Sequence, residues 1–238
     1  MVIIPTYNEI ENIERMVHTV MGLHSKFDLL VVDDGSPDGT AKVVEGLKST
    51  YQGRLNVLNR TKKEGLGKAY LAAFDWGLSR DYEFLFEMDC DFSHNPADLE
   101  RLLLAAREGA HIALGSRYLT GVNVVNWPIG RVILSYYASA YVRIITGMPV
   151  RDATAGFVCY RREFLQSLDL EKIRFKGYAF QIEMKYIAFR LGFRIKEVPI
   201  IFTDRQEGTS KISKKIIKEA IGGVISLRLT PAKRYLKK

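Results

Sequence analysis

A series of short apolar runs, each closed by polar residues and followed by a stretch with helical spacing, dominates the first half of this 238-residue chain. The runs are "VIIP" (2–5), "DLLVVDDG" (28–35), "RLNVLNR" (54–60), "EFLFEMD" (83–89) and "HIALGSR" (111–117). Runs that are apolar on both faces suit strands covered on both sides, and strands alternating with helices build a mainly parallel sheet. The chain is therefore read as α/β, with helices on both faces of the sheet. Ile10, Ile13, Val17, Val20 and Met21 fall at helical spacing after the first run. Asn8 and Glu11 read as a capping pair before them. "NPADLERLLLAAREG" places Pro96 near a helix start, with apolar residues at 99, 102, 103 and 106. Beyond residue 117 the pattern loosens. An apolar helix is expected over 126–147, a strand over 156–160, a helix over 179–191 and an edge strand over 193–202, where Pro199 favours an edge place.

Ligands on such sheets sit at the carboxyl ends of the strands. Those ends carry Thr6–Glu9, Asp33 and Asp34, Arg60–Lys63, Asp89–Asp91, and Ser116 and Arg117. The concentration of polar residues at one edge is the first argument for a site.

Charge divides the chain unevenly. Ten lysines and arginines face three acidic residues between Asp204 and Lys238, so +7 of the net +8 lies there. A segment of this kind suits an anionic membrane surface, nucleic acid or plain solvent. Nucleic acid is set aside, because no RNA-recognition signature is present. Cys90 and Cys159 fit no metal spacing and read as reduced, partly buried thiols. No stretch reaches the ~18–20 apolar residues of a membrane span. The N-terminus lacks the basic region of a secretory signal, and the first strand begins almost at Met1.

Asp89 and Asp91 end a strand that reads as buried. Two carboxylates so close repel each other, and near a core each is costly to desolvate. A divalent cation with a preference for oxygen would offset both costs, and Mg²⁺ or Mn²⁺ keeps room in its shell for water or phosphate. A plain acidic loop capping the next helix is the competing reading. Asp33 and Asp34 stand where a carboxylate can accept bonds from a ribose or base, or serve turn chemistry. Arg60, Lys62, Lys63 and Lys68 surround "GLG", where glycines would let backbone N–H groups approach an anion. The spacing is not a P-loop, and a solvated basic loop competes. Arg131, Ser135, Ser139 and Arg143 form a polar stripe at four-residue spacing on the apolar helix. That helix suits a membrane interface, with tyrosines at headgroup level, or a buried position. Arg205 and Lys211 suit a loop that closes over a diphosphate. His94 reads equally as a helix-start residue or a ligand.

In order along the chain, "IPTYNE", "VVDDGSPDGT", "EGLGKAY", "MDCDFSHNP", "GSRY", "GYAFQIEM" and "EVPIIFTDRQEGTSK" resemble the dolichyl-phosphate (polyprenyl-phosphate) mannose synthases. These are inverting glycosyltransferases of the GT-A fold. The resemblance implies transfer of mannose from GDP-mannose to a polyprenyl or dolichyl monophosphate. It implies that Pro5, Tyr7, Glu9, Val32 and Asp34 hold the nucleoside. Asp89, Cys90 and Asp91 would lie at the diphosphate and metal, with Ser93 nearby. Arg117, Arg205 and Lys211 would neutralise the diphosphate. Arg117, Arg131 and Ser135 would meet the acceptor phosphate, and Asp89, Asp91 and Arg117 would carry catalysis. Gln181 and Glu183 match a family segment near the site without a firm role. Cys90 replaces a small alanine common in the family. Some members carry C-terminal membrane spans that this chain lacks, so it would reach its lipid by surface contact or through a small membrane-anchoring partner subunit. The expected place is the cytosolic face of a membrane, bound peripherally. The expected division is a catalytic domain over 1–203 and a loop with a basic amphipathic segment over 204–238. A polyprenyl-phosphate glucosyl- or N-acetylhexosaminyltransferase using a UDP-sugar is the alternative within the class. A non-enzymatic basic binder is the alternative outside it.

Overall fold

The computed structural model describes residues 1–204 and 214–237, with side chains described for all but Tyr178 and residues 214–221. Among these residues a seven-stranded sheet has the order β3-β2-β1-β4-β7-β5-β8. Its strands are β1 (Val2–Thr6), β2 (Leu29–Asp33), β3 (Leu55–Asn59), β4 (Phe84–Glu87), β5 (Ile112–Ser116), β7 (Val158–Arg161) and β8 (Ile195–Pro199). Two short strands, β6 (Val124–Val125) and β9 (Phe202–Thr203), pair separately. β7 runs antiparallel to both β4 and β5, while the other pairs are parallel. β8 takes the edge, as Pro199 requires.

The two-sided apolar pattern of the strands becomes two cores. Val2, Ile4, Leu29 and Val31 face α1 (Ile10–Met21), α2 (Thr40–Leu47) and α4 (Asp98–Arg107). Ile3, Leu30 and Val32 face α3 (Leu66–Leu78), α6 (Arg162–Ser167), α7 (Tyr178–Arg190) and the inner side of α8 (Lys214–Leu229). Of the apolar positions expected on α1, Ile10 alone stays exposed, at the first turn. The apolar helix α5 (Ile129–Thr146) contributes only Val142 to the fully buried core.

Three expectations need correction. Asn8 does not cap α1. It sits in the left-handed region at φ 58°, Glu9 holds the N-cap position, and no side-chain cap bond forms there. The acceptors come instead from the loop after β2: Ser36 Oγ takes the Asn8 N–H, Thr40 Oγ1 that of Glu9, and Asp38 that of Ile10. The glycines of "GLG" serve packing. A Cβ on Gly67 would stand 2.8 Å from the Phe175 carbonyl oxygen, and the Gly67 N–H donates to Lys176 O at 2.8 Å. That amide is therefore engaged by the chain itself. Finally, the charge boundary at residue 203 is not a packing boundary. Val224, Leu227 and Tyr235 are buried in the same core as β1 and α7. The Tyr235 hydroxyl donates to the buried Glu183 carboxylate at 2.9 Å.

The chain turns outward from β1 to β2 and β3, then returns to place β4 on the other side of β1. This reversal opens a crevice at the carboxyl ends of β1 and β4, where ligands of such sheets bind. Pairing of β1 with β4 stops at Ile3–Glu87. Pro5, which has no N–H, stands where the next bond toward β4 would form. The crevice is thus built into the sequence of β1.

Candidate active site

One wall of the crevice is made by the loops after β1, β2 and β3. Asp33 closes its own turn, accepting from Thr6 Oγ1 at 2.9 Å, Gly35 N at 3.1 Å and Ser36 N at 2.8 Å. Asp34 is also buried and meets Arg60 Nη1 at 2.7 Å. Burial raises the Asp34 carboxyl above its ordinary value, and the Arg60 charge works against that rise. Tyr7 carries Lys63 Nζ over its ring at 4.3 Å. Glu9 and Pro5 are half-buried at the same edge, whereas the Val32 side chain is fully enclosed in the core. Val32 can therefore reach a ligand only through its backbone.

The loop after β4 carries the paired carboxylates. The strand ends at Glu87, two residues earlier than the apolar run suggests, and Asp89–Asp91 follow in the loop beyond it. Asp91 is buried and accepts the Ser93 N–H at 3.1 Å, while Asp89 is half-buried. Phe92, between Asp91 and Ser93, adopts φ 57°, a left-handed conformation that costs a non-glycine residue about 1–2 kcal/mol. Arg15 covers its ring at 4.1 Å. The turn so made returns the chain into α4. Cys90 is buried, 3% exposed, in the core cluster that includes residues of α1 and α4.

Among the described residues no group of three or more His, Cys, Asp or Glu side chains is assembled for a metal. Asp89 and Asp91, two residues apart in the loop after β4, offer two carboxylates. That set fits a hard cation of the Mg²⁺ or Mn²⁺ kind, which takes one or two carboxylates and fills its shell with phosphate oxygens and water.

Arg117 and the start of α5 form the opposite wall. Arg117 follows β5 and is bound by Asp152, as bidentate Nε and Nη2 contacts of 2.7 and 2.6 Å. Arg131 lies over the Trp127 ring at 4.1 Å and pairs with Asp204 at 2.8 Å. The Arg117 guanidinium lies 5.6 Å from the same Trp127 ring. Ser135 is half-buried one turn along α5. Burial raises the Tyr118 hydroxyl above its ordinary value, and the Arg117 charge works against that rise. The rest of the expected stripe separates, because Ser139 is buried within the packed side of α5. On its outer side α5 presents Ile129, Ile133, Leu134, Tyr136, Tyr137 and Ile144, the last 81% exposed. Arg205 and Lys211 lie outside the described residues.

Between the walls sits His94, buried, stacked on Phe157 at 4.9 Å and edge-on to Phe202 at 5.1 Å. Burial lowers its pKa to about 4, against the pull of Asp91. The ring is therefore uncharged at neutral pH, with Asp91 and Arg117 both near enough to act on it. Beneath the crevice, Gln181 Nε2 donates to Glu87 at 2.7 Å and Lys185 Nζ donates to Ala155 O at 2.6 Å. Glu183 instead fixes the backbone, accepting the Arg174 and Phe175 N–H groups at 3.0 Å each. Asp152 and Thr154 are the site neighbours that sequence reading passed over, while Trp127 was read only as part of the apolar helix. Asp152 gave no signal, since nothing in the spacing ties it to Arg117, 35 residues earlier.

The profile of glycosyl transferase family 2 matches residues 1–169. The chain is 49% identical over 221 residues to the polyprenol monophosphomannose synthase of Mycolicibacterium smegmatis, covering 93% of this chain and 83% of that protein. It is 46% identical over 222 residues to the undecaprenyl-phosphate mannosyltransferase of Micrococcus luteus, covering 93% and 90%. Glucosyl-3-phosphoglycerate synthase from Mycobacterium tuberculosis, solved with Mn²⁺, UDP and glucosyl-3-phosphoglycerate, has the same fold. It superposes with a TM-score of 0.71 at 19% identity, over 97% of this chain and 80% of that one. With a GT-A sheet, a strand-end carboxylate pair and relatives of this kind, the chain belongs to glycosyl transferase family 2 and, within it, to the polyprenyl-phosphate mannose synthases.

Proposed function

We propose that this protein transfers mannose from GDP-mannose to a polyprenyl monophosphate, with inversion at the sugar carbon, at the cytosolic surface of a membrane. The observation that carries this reading is one juxtaposition. Asp89 and Asp91 follow β4 and Arg117 follows β5 at the same edge of the sheet, and beside Arg117 the helix that carries Arg131 presents an exposed apolar face. The similarity to the mannosyltransferases of Mycolicibacterium smegmatis and Micrococcus luteus supports the sugar and the acceptor class.

In this reading Pro5, Tyr7, Glu9 and Asp34 line the nucleoside end of the donor. Asp89 and Asp91 would hold a Mg²⁺ or Mn²⁺ ion, whose charge offsets the charge growing on the departing diphosphate. Arg117 and Arg131 draw the acceptor phosphate to the opposite side of the sugar. A phosphate monoester has its second pKa near ~6, so its oxygen is already anionic at neutral pH and needs no general base. That oxygen forms the new bond to the anomeric carbon as the bond to the GDP oxygen breaks, and the electron pair leaves with GDP. Positive charge on the sugar ring at this point is flanked by the two phosphate groups, while an ion held by Asp89 and Asp91 would stabilise the leaving group. The outer face of α5 lies in the headgroup region and keeps the prenyl chain next to the site.

The test is transfer from GDP-mannose to a short polyprenyl phosphate in detergent, with Mg²⁺, Mn²⁺ or EDTA. Product that needs the metal is the expected result. Turnover with UDP-sugars and none with GDP-mannose would overturn the donor assignment.

A further inference from the structure

We propose that Asp152 is a positioning residue that fixes the Arg117 guanidinium for anion binding, with Thr154 and Glu197 as its supports. The inference rests on Arg117 acting at the anionic groups of the substrates, as above, and extends that reading to a residue outside the carboxylate and arginine motifs.

The geometry is specific. Asp152 is fully buried. Its Oδ2 accepts both the Arg117 Nε–H at 2.7 Å and the Arg117 backbone N–H at 3.0 Å, and its Oδ1 accepts from Nη2 at 2.6 Å. Nη2 also donates to Thr154 Oγ1 at 2.9 Å. Two parallel bonds from one carboxylate set the plane of a guanidinium, and a third to the same residue's backbone sets its origin. The carboxylate is itself held. Glu197 on β8 accepts the Asp152 N–H at 3.0 Å and the Arg151 N–H at 2.8 Å. Burial alone would raise the Asp152 carboxyl, yet Arg117's charge and hydrogen bonds hold it below the ordinary value.

Topology explains how these residues meet. Because β7 runs antiparallel, it is entered from the ligand edge of the sheet, so residues 152–157 approach the carboxyl end of β5 instead of leaving from it. Arg117 stands at that end. A parallel β7 would have placed Asp152 at the far edge.

A buried carboxylate cancels part of the cation's charge, so it does not strengthen the anion site by simple attraction. What it adds is a fixed direction. An arginine aimed in advance need not reorganise as charge moves from the acceptor oxygen to the departing diphosphate. Arg131, by contrast, pairs with Asp204 at a partly exposed site, through one nitrogen.

The test is a double-mutant cycle on the full chain, using Asp152→Asn, Arg117→Gln and the double variant, with mannosyl transfer as readout. Asp152→Asn keeps the shape of the side chain. It should lower kcat roughly 10–100-fold, the scale of a misplaced catalytic group, while the KM for GDP-mannose stays within about threefold. In the Arg117→Gln background the same change should cost under about threefold, because the group it aims is gone. Thr154→Val, which removes only the neutral support, should give a smaller loss of the same kind, and guards against misfolding of Asp152→Asn. Equal losses from Asp152→Asn in both backgrounds would overturn the proposal and make Asp152 a structural residue. Full activity of Arg117→Gln would instead overturn the role of Arg117 on which the proposal stands.

Discussion

The two walls of the crevice hold their charges differently. On the donor wall, carboxylates are tied down by the loops that carry them: Asp33 by its own turn, Asp34 by Arg60, Asp91 by the Ser93 amide. On the acceptor wall, cations are tied down by carboxylates from distant parts of the chain, Arg117 by Asp152 and Arg131 by Asp204. The donor wall is closed and grows out of the parallel half of the sheet. The acceptor wall opens onto the apolar side of α5, where Tyr137 is 66% exposed. The difference would suit the two proposed substrates. A nucleotide sugar would arrive from water into a polar crevice. A lipid phosphate would arrive from an apolar phase, and its site would need cations with apolar surface beside them.

This contrast can be broken in several ways. The largest effect is expected on the donor wall: Asp91→Asn should reduce turnover by at least about a thousandfold, the scale of removing a main electrostatic contributor, with circular dichroism unchanged. Next is Arg131→Gln, which should lower kcat/KM for the acceptor roughly 10–100-fold, as loss of a charged hydrogen bond does. Its donor affinity should stay unchanged. A loss of donor binding there would merge the two walls. On the outer face of α5, Ile133→Ser with Tyr137→Ser should weaken binding to anionic vesicles by about tenfold or more, from lost apolar burial. Thermal stability should shift little, because both side chains are exposed in water. Equal vesicle affinity would remove the membrane role of α5.

The smallest effect concerns the buried ring of His94. His94 is depressed in the fold to about 4 from an ordinary value of 6.5. Between those pH values the unfolded chain takes up a proton that the native ring refuses. His94 therefore contributes its full stability above about pH 6.5, and loses it as the pH falls toward about 4. The stability curve should steepen there by up to about one proton, or ~1.4 kcal/mol per pH unit. His94→Phe should flatten that limb while keeping the stack on Phe157. An unchanged acid limb would show that the ring titrates normally.

What the sequence made legible follows the same divide. The donor wall could be read in one dimension, because a parallel strand announces its ligand edge by where its apolar run stops. Asp34, Asp89 and Asp91 all lie where that rule puts them. Asn8 was misread because the acceptors for the start of α1 come from residues 36–40, not from the neighbouring turn. The glycines at 65 and 67 were misread because the 175–177 loop, distant in sequence, takes up their surroundings. Asp152 was invisible because its place depends on one strand running antiparallel, a fact of topology that no local pattern encodes. The C-terminal segment was judged by charge, while Val224, Leu227 and Tyr235 pack as core. α5 was left open between interface and core, and the structure turns most of its large apolar side chains outward.

The measurement that bears most directly on the two-wall account is calorimetric binding of GDP-mannose with Mn²⁺, compared for the unaltered chain, Asp91→Asn and Arg131→Gln. The account predicts that Asp91→Asn loses metal-dependent donor binding and that Arg131→Gln keeps it within about threefold, since a residue of the other wall adds little to donor affinity. Donor binding that survives in Asp91→Asn, or fails in Arg131→Gln, would contradict it.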